Sequence, residues 1–163
     1  MNDTMNDNRI YLFDTTLRDG AQTQGVDFNP ADKALIAREL NDVGIDYIEG
    51  GWPGANPTDD AFFADPPPMT RSKLTAFGMT RRPGRSADND PGLTAILGTK
   101  ADCGCMVGKA WDFHVDVALE IDLEENIQMV ADSVKHAATK VSEVMFDAEH
   151  FFDGYKANPE FAL

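Results

Sequence analysis

Short apolar runs of strand length alternate with helix-patterned segments along almost the whole chain, and that alternation restricts the fold more than any other feature. Strand-like runs are Arg9–Asp14, Ile45–Glu49, Lys73–Gly78, Asp102–Lys109 and Glu143–Asp147. Each is short, and most are rich in branched or aromatic residues. Between them lie helix signals. Asn29-Pro30 offers an N-cap with Pro at the first helical position, Ile36, Leu40 and Val43 repeat at the spacing of a buried face, and Gly44 is placed to end that helix. Thr58–Asp65 reads as a short helix stopped by Pro66, Pro67 and Pro68, and Pro91–Leu97 as another. Asp122 and Glu125 form a capping-box variant, with Ile127, Val130, Ala131, Val134 and Ala138 expected on the buried face. Asn158-Pro159 reads as one more helix start. Alternation on this scale predicts βαβ units and a parallel sheet. Two architectures follow: a doubly wound open sheet, or part of an eight-stranded barrel. No Gly-x-Gly-x-x-Gly loop follows any strand, so a dinucleotide site is not supported.

Residues 1–8 are polar and read as a disordered lead-in, without the apolar core of a signal peptide. The net charge is −14 with 42% hydrophobic residues. That composition is globular, and its acidity argues against nucleic acid as a partner. No apolar run is long enough to span a membrane. Cys103 and Cys105 are read as buried free thiols on opposite strand faces, which fits a reducing cytoplasm.

In parallel α/β folds, chemistry gathers at the carboxyl ends of the strands. The first end carries Thr15 to Gln22, with Arg18 beside Asp19. A carboxylate is a hard ligand for a divalent cation. A guanidinium keeps its charge and can stabilise a developing enolate or alkoxide. The other ends carry Glu49 and Trp52, then Met79 before Arg81, Arg82 and Arg85, then Lys109, Trp111 and His114, and finally Glu149 and His150.

These residues carry a resemblance. Asp14-Thr-Thr-Leu-Arg-Asp-Gly-Ala-Gln22 is similar to the signature of the metal-dependent aldolase-type TIM barrels that include isopropylmalate synthase, homocitrate synthase and HMG-CoA lyase. Asp46-Tyr-Ile-Glu-Gly-Gly-Trp-Pro-Gly54, Gly108-Lys-Ala-Trp-Asp-Phe-His114 and Phe146-Asp-Ala-Glu-His-Phe-Phe-Asp-Gly-Tyr-Lys156 resemble most the citramalate synthase branch. The resemblance implies an acyltransferase that condenses acetyl-CoA with a 2-oxo acid, pyruvate in that branch, to give (R)-citramalate for isoleucine biosynthesis. It implies a divalent metal (Mg, Mn or Zn), small-molecule substrates, a cytoplasmic location and, for full-length relatives, a homodimer. On matching positions it implies Asp19 as metal ligand, Arg18 and Glu149 as catalytic, and Gln22 and Glu49 as lining the substrate pocket, with Lys109 and His114 on the same face. Arg81, Arg82 and Arg85 are weighed as contacts for coenzyme A phosphates against a solvated loop.

The family's His-x-His metal pair is absent from the sequence, and only five strands are counted where a barrel has eight. Residues 9–163 are therefore expected to be an N-terminal part of the catalytic barrel, α/β in class, comprising about the first five β/α units. Such a piece is expected to be marginal as a monomer, to bind metal weakly and to be inactive alone. The remaining alternatives are a 2-isopropylmalate or homocitrate synthase-type enzyme, a lyase of the same superfamily, and a truncated fragment with no catalytic role.

Overall fold

The computed structural model describes residues 9–163, so the lead-in read at residues 1–8 lies outside the described residues. The strands are β1 (Phe13–Asp14), β2 (Tyr47–Gly51), β3 (Lys73–Met79), β4 (Cys103–Lys109) and β5 (Glu143–Glu149). Between them run α1 (Pro30–Val43), α2 (Pro57–Ala64), α3 (Pro91–Leu97), α4 (Asp112–His114) and α5 (Leu123–Ala137), and α6 (Phe151–Ala157) and α7 (Pro159–Ala162) follow β5. Every neighbouring strand pair is parallel, and the sheet order is β1-β2-β3-β4-β5. Spatial order equal to chain order decides between the two architectures. A doubly wound sheet must reverse its order at a switch point, and this one never does. The fold is the five-stranded arc of an incomplete (β/α)8 barrel.

Local signals explain most boundaries. Asn29 accepts from the Ala31 and Asp32 amides while Asp32 accepts from Asn29, a complete capping box, and Gly44 ends α1 at φ 94°. Asp90 and Asp122 cap α3 and α5 through the Leu93 and Glu125 amides. Only half of the second capping box forms, because the Glu125 carboxylate is drawn to Arg81 at 2.8 Å instead.

The buried helix faces differ from expectation. On α1 the buried positions are Lys33, Ala37 and Asn41, with Ile36 and Leu40 at the flank and Val43 78% exposed. On α5 they are Asn126, Met129, Ser133 and Ala137, while Ile127, Ala131 and Ala138 face outward. Apolar periodicity found the flanks of these faces, Ile36 and Leu40 on α1 and Val130 and Val134 on α5, and missed their centres, which contain polar groups with specific partners. Asn41 Oδ1 accepts from the Thr70, Arg71 and Ser72 amides. Asn126 donates to the Lys109 carbonyl, and Ser133 accepts from the Arg81 amide. Buried polar groups are tolerated when bonded in this way.

The strand read over Arg9–Asp14 pairs only at Phe13–Asp14, although Leu12 is tied to Asp46 and Tyr47 by backbone bonds. The helix α6 and the segment Asp112–Leu119, with its wide π-helical turn, were not foreseen. Nor were single 3-10 turns at Gly20–Gln22 and Ala87–Asn89.

The two sheet faces are chemically distinct. Ile48, Leu74, Ala76 and Met106 pack outward against Phe62, Leu93, Ile96 and Ala137 to form the core. Strand alternation turns Glu49, Thr75, Phe77, Cys105 and Asp147 to the concave face. Cys103 and Cys105 both lie there, which corrects the reading that set them on opposite faces: residues i and i+2 of a strand share a face. They remain free and buried. Such residues are about 6.6 Å apart along a strand, well beyond the ~3.8 Å Cβ spacing of a disulfide. Burial pushes the thiols up to about 11 and about 12, which leaves them unreactive.

Candidate functional site at the carboxyl ends of the strands

The loop after β1 is built around one carbonyl. The amides of Arg18, Asp19 and Gly20 all donate to the Thr15 oxygen at 2.9–3.1 Å. Asp14 steadies the turn by accepting from the Thr16 amide and hydroxyl. Leu17 is fully buried and anchors it to the core. Arg18 is thereby turned over the concave face. Its Nε donates to Glu49 Oε2 at 2.7 Å and its Nη1 to Asp19 Oδ1 at 3.2 Å. Its Cζ lies 4.0 Å from the Phe77 ring centroid, within cation–π range.

The two acidic partners of Arg18 differ sharply. The Glu49 side chain is 2% exposed and that of Asp19 is 61% exposed. Burial pushes the Glu49 carboxyl above the ordinary range; the Arg18 hydrogen bond and charge oppose this, and the nearby charges of Asp147 and Asp19 add to it. A raised folded-state value means that the native state holds this proton more tightly than the unfolded chain. Glu49 therefore favours folding most fully below its unfolded value, and that contribution is lost as pH rises through the raised one. Melting temperature measured from pH 4 to pH 8 is expected to show this loss in the parent chain and not in Glu49→Gln. An identical pH dependence in both would remove Glu49 as its source.

A cavity of about 300 Å³ opens here, with Arg18, Gln22, Trp52, Phe77, Lys109 and Glu149 in its wall. Lys109 and Glu149 are opposite each other in the β4–β5 register and form an ion pair. Arg18, Gln22, Lys109 and Glu149, four of the site residues expected from the sequence, thus share one cavity with Trp52 and Met79 from the strand ends; Glu49 contacts Arg18 directly, and Asp19 is exposed beside it. His114 is not in that wall. Its ring packs 4.7 Å from Trp111 and edge-on 4.6 Å from His150, at the meeting of the β4 and β5 loops. Asp147 also lines the cavity and was missed; stepping back two residues from Glu149 along the strand would have found it.

The arginine cluster separates. Arg81 is 5% exposed and bonded to Glu125 and Asp132, so it is not part of a solvated loop. Arg82 and Arg85 are exposed. Arg81 and Arg82 border a second cavity of about 370 Å³, with Trp52, Met79 and Leu119.

Asp19 offers an exposed hard-oxygen donor toward a divalent cation. Among the described residues no group of three or more His, Cys, Asp or Glu gathers to hold an ion, so these residues do not by themselves build a metal site. Nor is any helix among them long and apolar enough to cross a membrane.

The chain is 50% identical over 157 residues to (R)-citramalate synthase of Aquifex aeolicus, covering 95% of the chain and 30% of that protein. It is 49% identical over 156 residues to (R)-citramalate synthase of Geobacter sulfurreducens, covering 94% of the chain and 30% of that protein. It is 32% identical over 157 residues to 2-isopropylmalate synthase of Solidesulfovibrio magneticus, covering 96% and 29%. The chain thus spans about 30% of the length of these relatives. The crystal structure of hydroxymethylglutaryl-CoA lyase from Pseudomonas aeruginosa superposes with a TM-score of 0.65 at 17% identity, over 85% of this chain and 45% of that one. The family model HMGL-like matches residues 9–162, and the chain belongs to that family.

Proposed function

We propose that residues 9–163 form the N-terminal part of the catalytic barrel of a citramalate synthase-type acyltransferase, which joins the acetyl group of acetyl-CoA to pyruvate and gives (R)-citramalate. One observation carries this reading. The Arg18 guanidinium, held by buried Glu49, faces a cavity shared with Gln22, Lys109 and Glu149, in a chain half identical to (R)-citramalate synthases.

The chemistry places demands that these groups meet. A base takes a proton from the acetyl methyl, which puts negative charge on the thioester oxygen, and the protonated base later supplies the proton that the product alkoxide takes up. The fixed positive charge of Arg18 stabilises that enolate, and it needs no reorganisation because Glu49, Asp19 and the Phe77 ring already hold it. The enolate carbon attacks the ketone carbon of the 2-oxo acid, and the resulting alkoxide takes a proton. Gln22 and Lys109 orient the acceptor through its carboxylate and ketone oxygens. Glu149, paired with Lys109, orients the acyl group or the water that later cleaves the thioester and frees the coenzyme A thiol. Asp19 would serve as one ligand of a divalent metal that polarises the acceptor carbonyl. The described residues complete no such site, so the isolated chain is expected to support no turnover.

The test is a chimera in which residues 9–162 replace the matching segment of the Aquifex aeolicus relative. A soluble, folded chimera is expected to release coenzyme A thiol from acetyl-CoA with pyruvate and to be much slower with 2-oxoisovalerate. A preference for 2-oxoisovalerate would point instead to the 2-isopropylmalate reaction, and a folded chimera idle with both would overturn the reading.

A further inference from the structure

Lys33 and Asp59 carry opposite charges deep in the fold, 3% and 5% exposed, and the chemistry above uses neither. Lys33, on α1, forms an ion pair with Asp59 and donates to the Gly50 carbonyl at 3.0 Å. Asp59, on α2, accepts from the Trp52 amide at 2.8 Å and from the Asn56 side chain at 2.9 Å. Both charges therefore bear on the backbone that ends β2. There the strand leaves its register: Glu49 faces Thr75, Gly51 faces Ala76, and Gly50 has no partner between them. Gly51 has φ 148°, and a Cβ on it would lie 2.5 Å from the Asp59 carboxyl carbon, so this residue pair and Gly-Gly are fitted to each other.

Stability alone accounts poorly for the arrangement. A buried ion pair is commonly replaceable by apolar side chains without loss. What an apolar pair cannot supply is a donor for the Gly50 carbonyl and an acceptor for the Trp52 amide. A bulge of this kind re-aims neighbouring side chains. Here the neighbours are Glu49, which bonds Arg18, and Trp52, which lines both the site cavity and the second cavity.

We infer that Lys33 and Asp59 are positioning residues: their ion pair locks the bulge at Gly50 and so sets the Glu49 carboxylate that aims Arg18. Arg18's catalytic importance rests on the function proposed above, whereas the mechanical link does not.

Two readouts separate these. In the full chain, the Arg18 Nε–H proton resonance reports its bond to Glu49 through slow exchange with water. In the chimera, kcat and KM report the chemistry. The double variant Lys33→Met/Asp59→Asn leaves no buried charge unpaired. Folded by circular dichroism, it is expected to lose Arg18 Nε–H protection by about tenfold or more, and in the chimera to lose kcat by about tenfold with KM little changed, the scale of a small misplacement. Protection retained in a folded double variant overturns the inference. Protection lost while the unmutated chimera is idle supports the link and refutes the proposed function. Should the double variant not fold, Lys33→Gln/Asp59→Asn, which also leaves no buried charge unpaired and keeps polar groups at both positions, answers by the same resonance: protection lost supports the inference and protection retained overturns it.

Discussion

Arg18→Ala in the chimeric barrel is expected to lower kcat/KM by about two to three orders of magnitude, the usual loss when a preorganised donor to a developing oxyanion is removed. Arg18→Lys is expected to recover little of it. A lysine keeps the charge but not the planar fork, and Arg18 uses the fork to hold Glu49 through Nε and Asp19 through Nη1 at once. The same substitution has a distinct effect on stability. It leaves Glu49 buried without a counter-charge, and burial already favours its protonated form. Arg18→Ala should therefore be more destabilised at pH 8 than at pH 5, because Glu49 can take up a proton at the lower pH. Steady-state kinetics at fixed metal concentration, with melting curves at the two pH values, measures both effects. A chimera that keeps a tenth or more of its activity without Arg18 would remove this residue from the chemistry.

How far the sequence foretold this site depends on the kind of physical signal. The turn around Thr15, the caps at Asn29, Asp90 and Asp122, and the glycine at Gly44 are local features. Each works through bonds to residues a few positions away; the sequence pattern marks the caps at Asn29 and Asp122 and the stop at Gly44, whereas the Thr15 turn and the Asp90 cap emerge only in the fold. The placement of Arg18, Lys109 and Glu149 in one cavity followed from a single topological rule, that strand ends of a parallel sheet converge. The centres of the buried faces of α1 and α5 were not legible, although their flanks at Ile36, Leu40 and Val134 were. Their inward residues include Lys33, Asn41, Asn126 and Ser133, whose partners lie 17 to 52 positions away. An apolarity pattern reads such residues as surface. The burial of Arg81 was hidden in the same way, since Glu125 and Asp132 become its neighbours only when α5 packs beside β4 and the loop after β3. The remoteness of His114 from the cavity had no sequence signal, because a short helix and a wide turn after β4 carry it toward His150.

These misses share a consequence. The sheet supplies a rim of loops, and the rim becomes a site only because polar groups in its second layer fix each loop. Asp90 holds the Arg82 amide, Asn126 the Lys109 carbonyl, and Asp59 the Trp52 amide. All three are buried, and each binds backbone, so its effect reaches whichever side chain that backbone carries.

Gly154→Ala tests the same principle at the β5 end, and sequence and structure disagree about its sign. Gly154 lies inside α6, where replacing glycine by alanine ordinarily stabilises by roughly 0.5–1 kcal/mol. Here a Cβ would sit 2.1 Å from the Ala110 carbonyl oxygen and 2.9 Å from the Ala110 carbonyl carbon and the Trp111 Cα. All three are backbone atoms, so no side-chain rotation relieves the contact. The helix must lift from the loop after β4, against a tether from Asn158 to Asp112 at 3.0 Å. Overpacking of this kind costs about 1–3 kcal/mol, occasionally more, and at about 2–4 °C per kcal/mol for this chain length the melting temperature should fall by about 2–12 °C. Gly84→Ala provides the contrast. Gly84 has φ 71°, and a Cβ added there would meet nothing within 4 Å, so only backbone strain of about 1–2 kcal/mol applies. Gly154→Ala should also alter Trp111 emission, since the displaced helix rests on that residue, whereas Gly84→Ala should not. A Gly154→Ala chain that melts with or above the parent, with Trp111 unchanged, would mean that α6 is free to move away from β4 and does not hold the end of β5 where Glu149 stands.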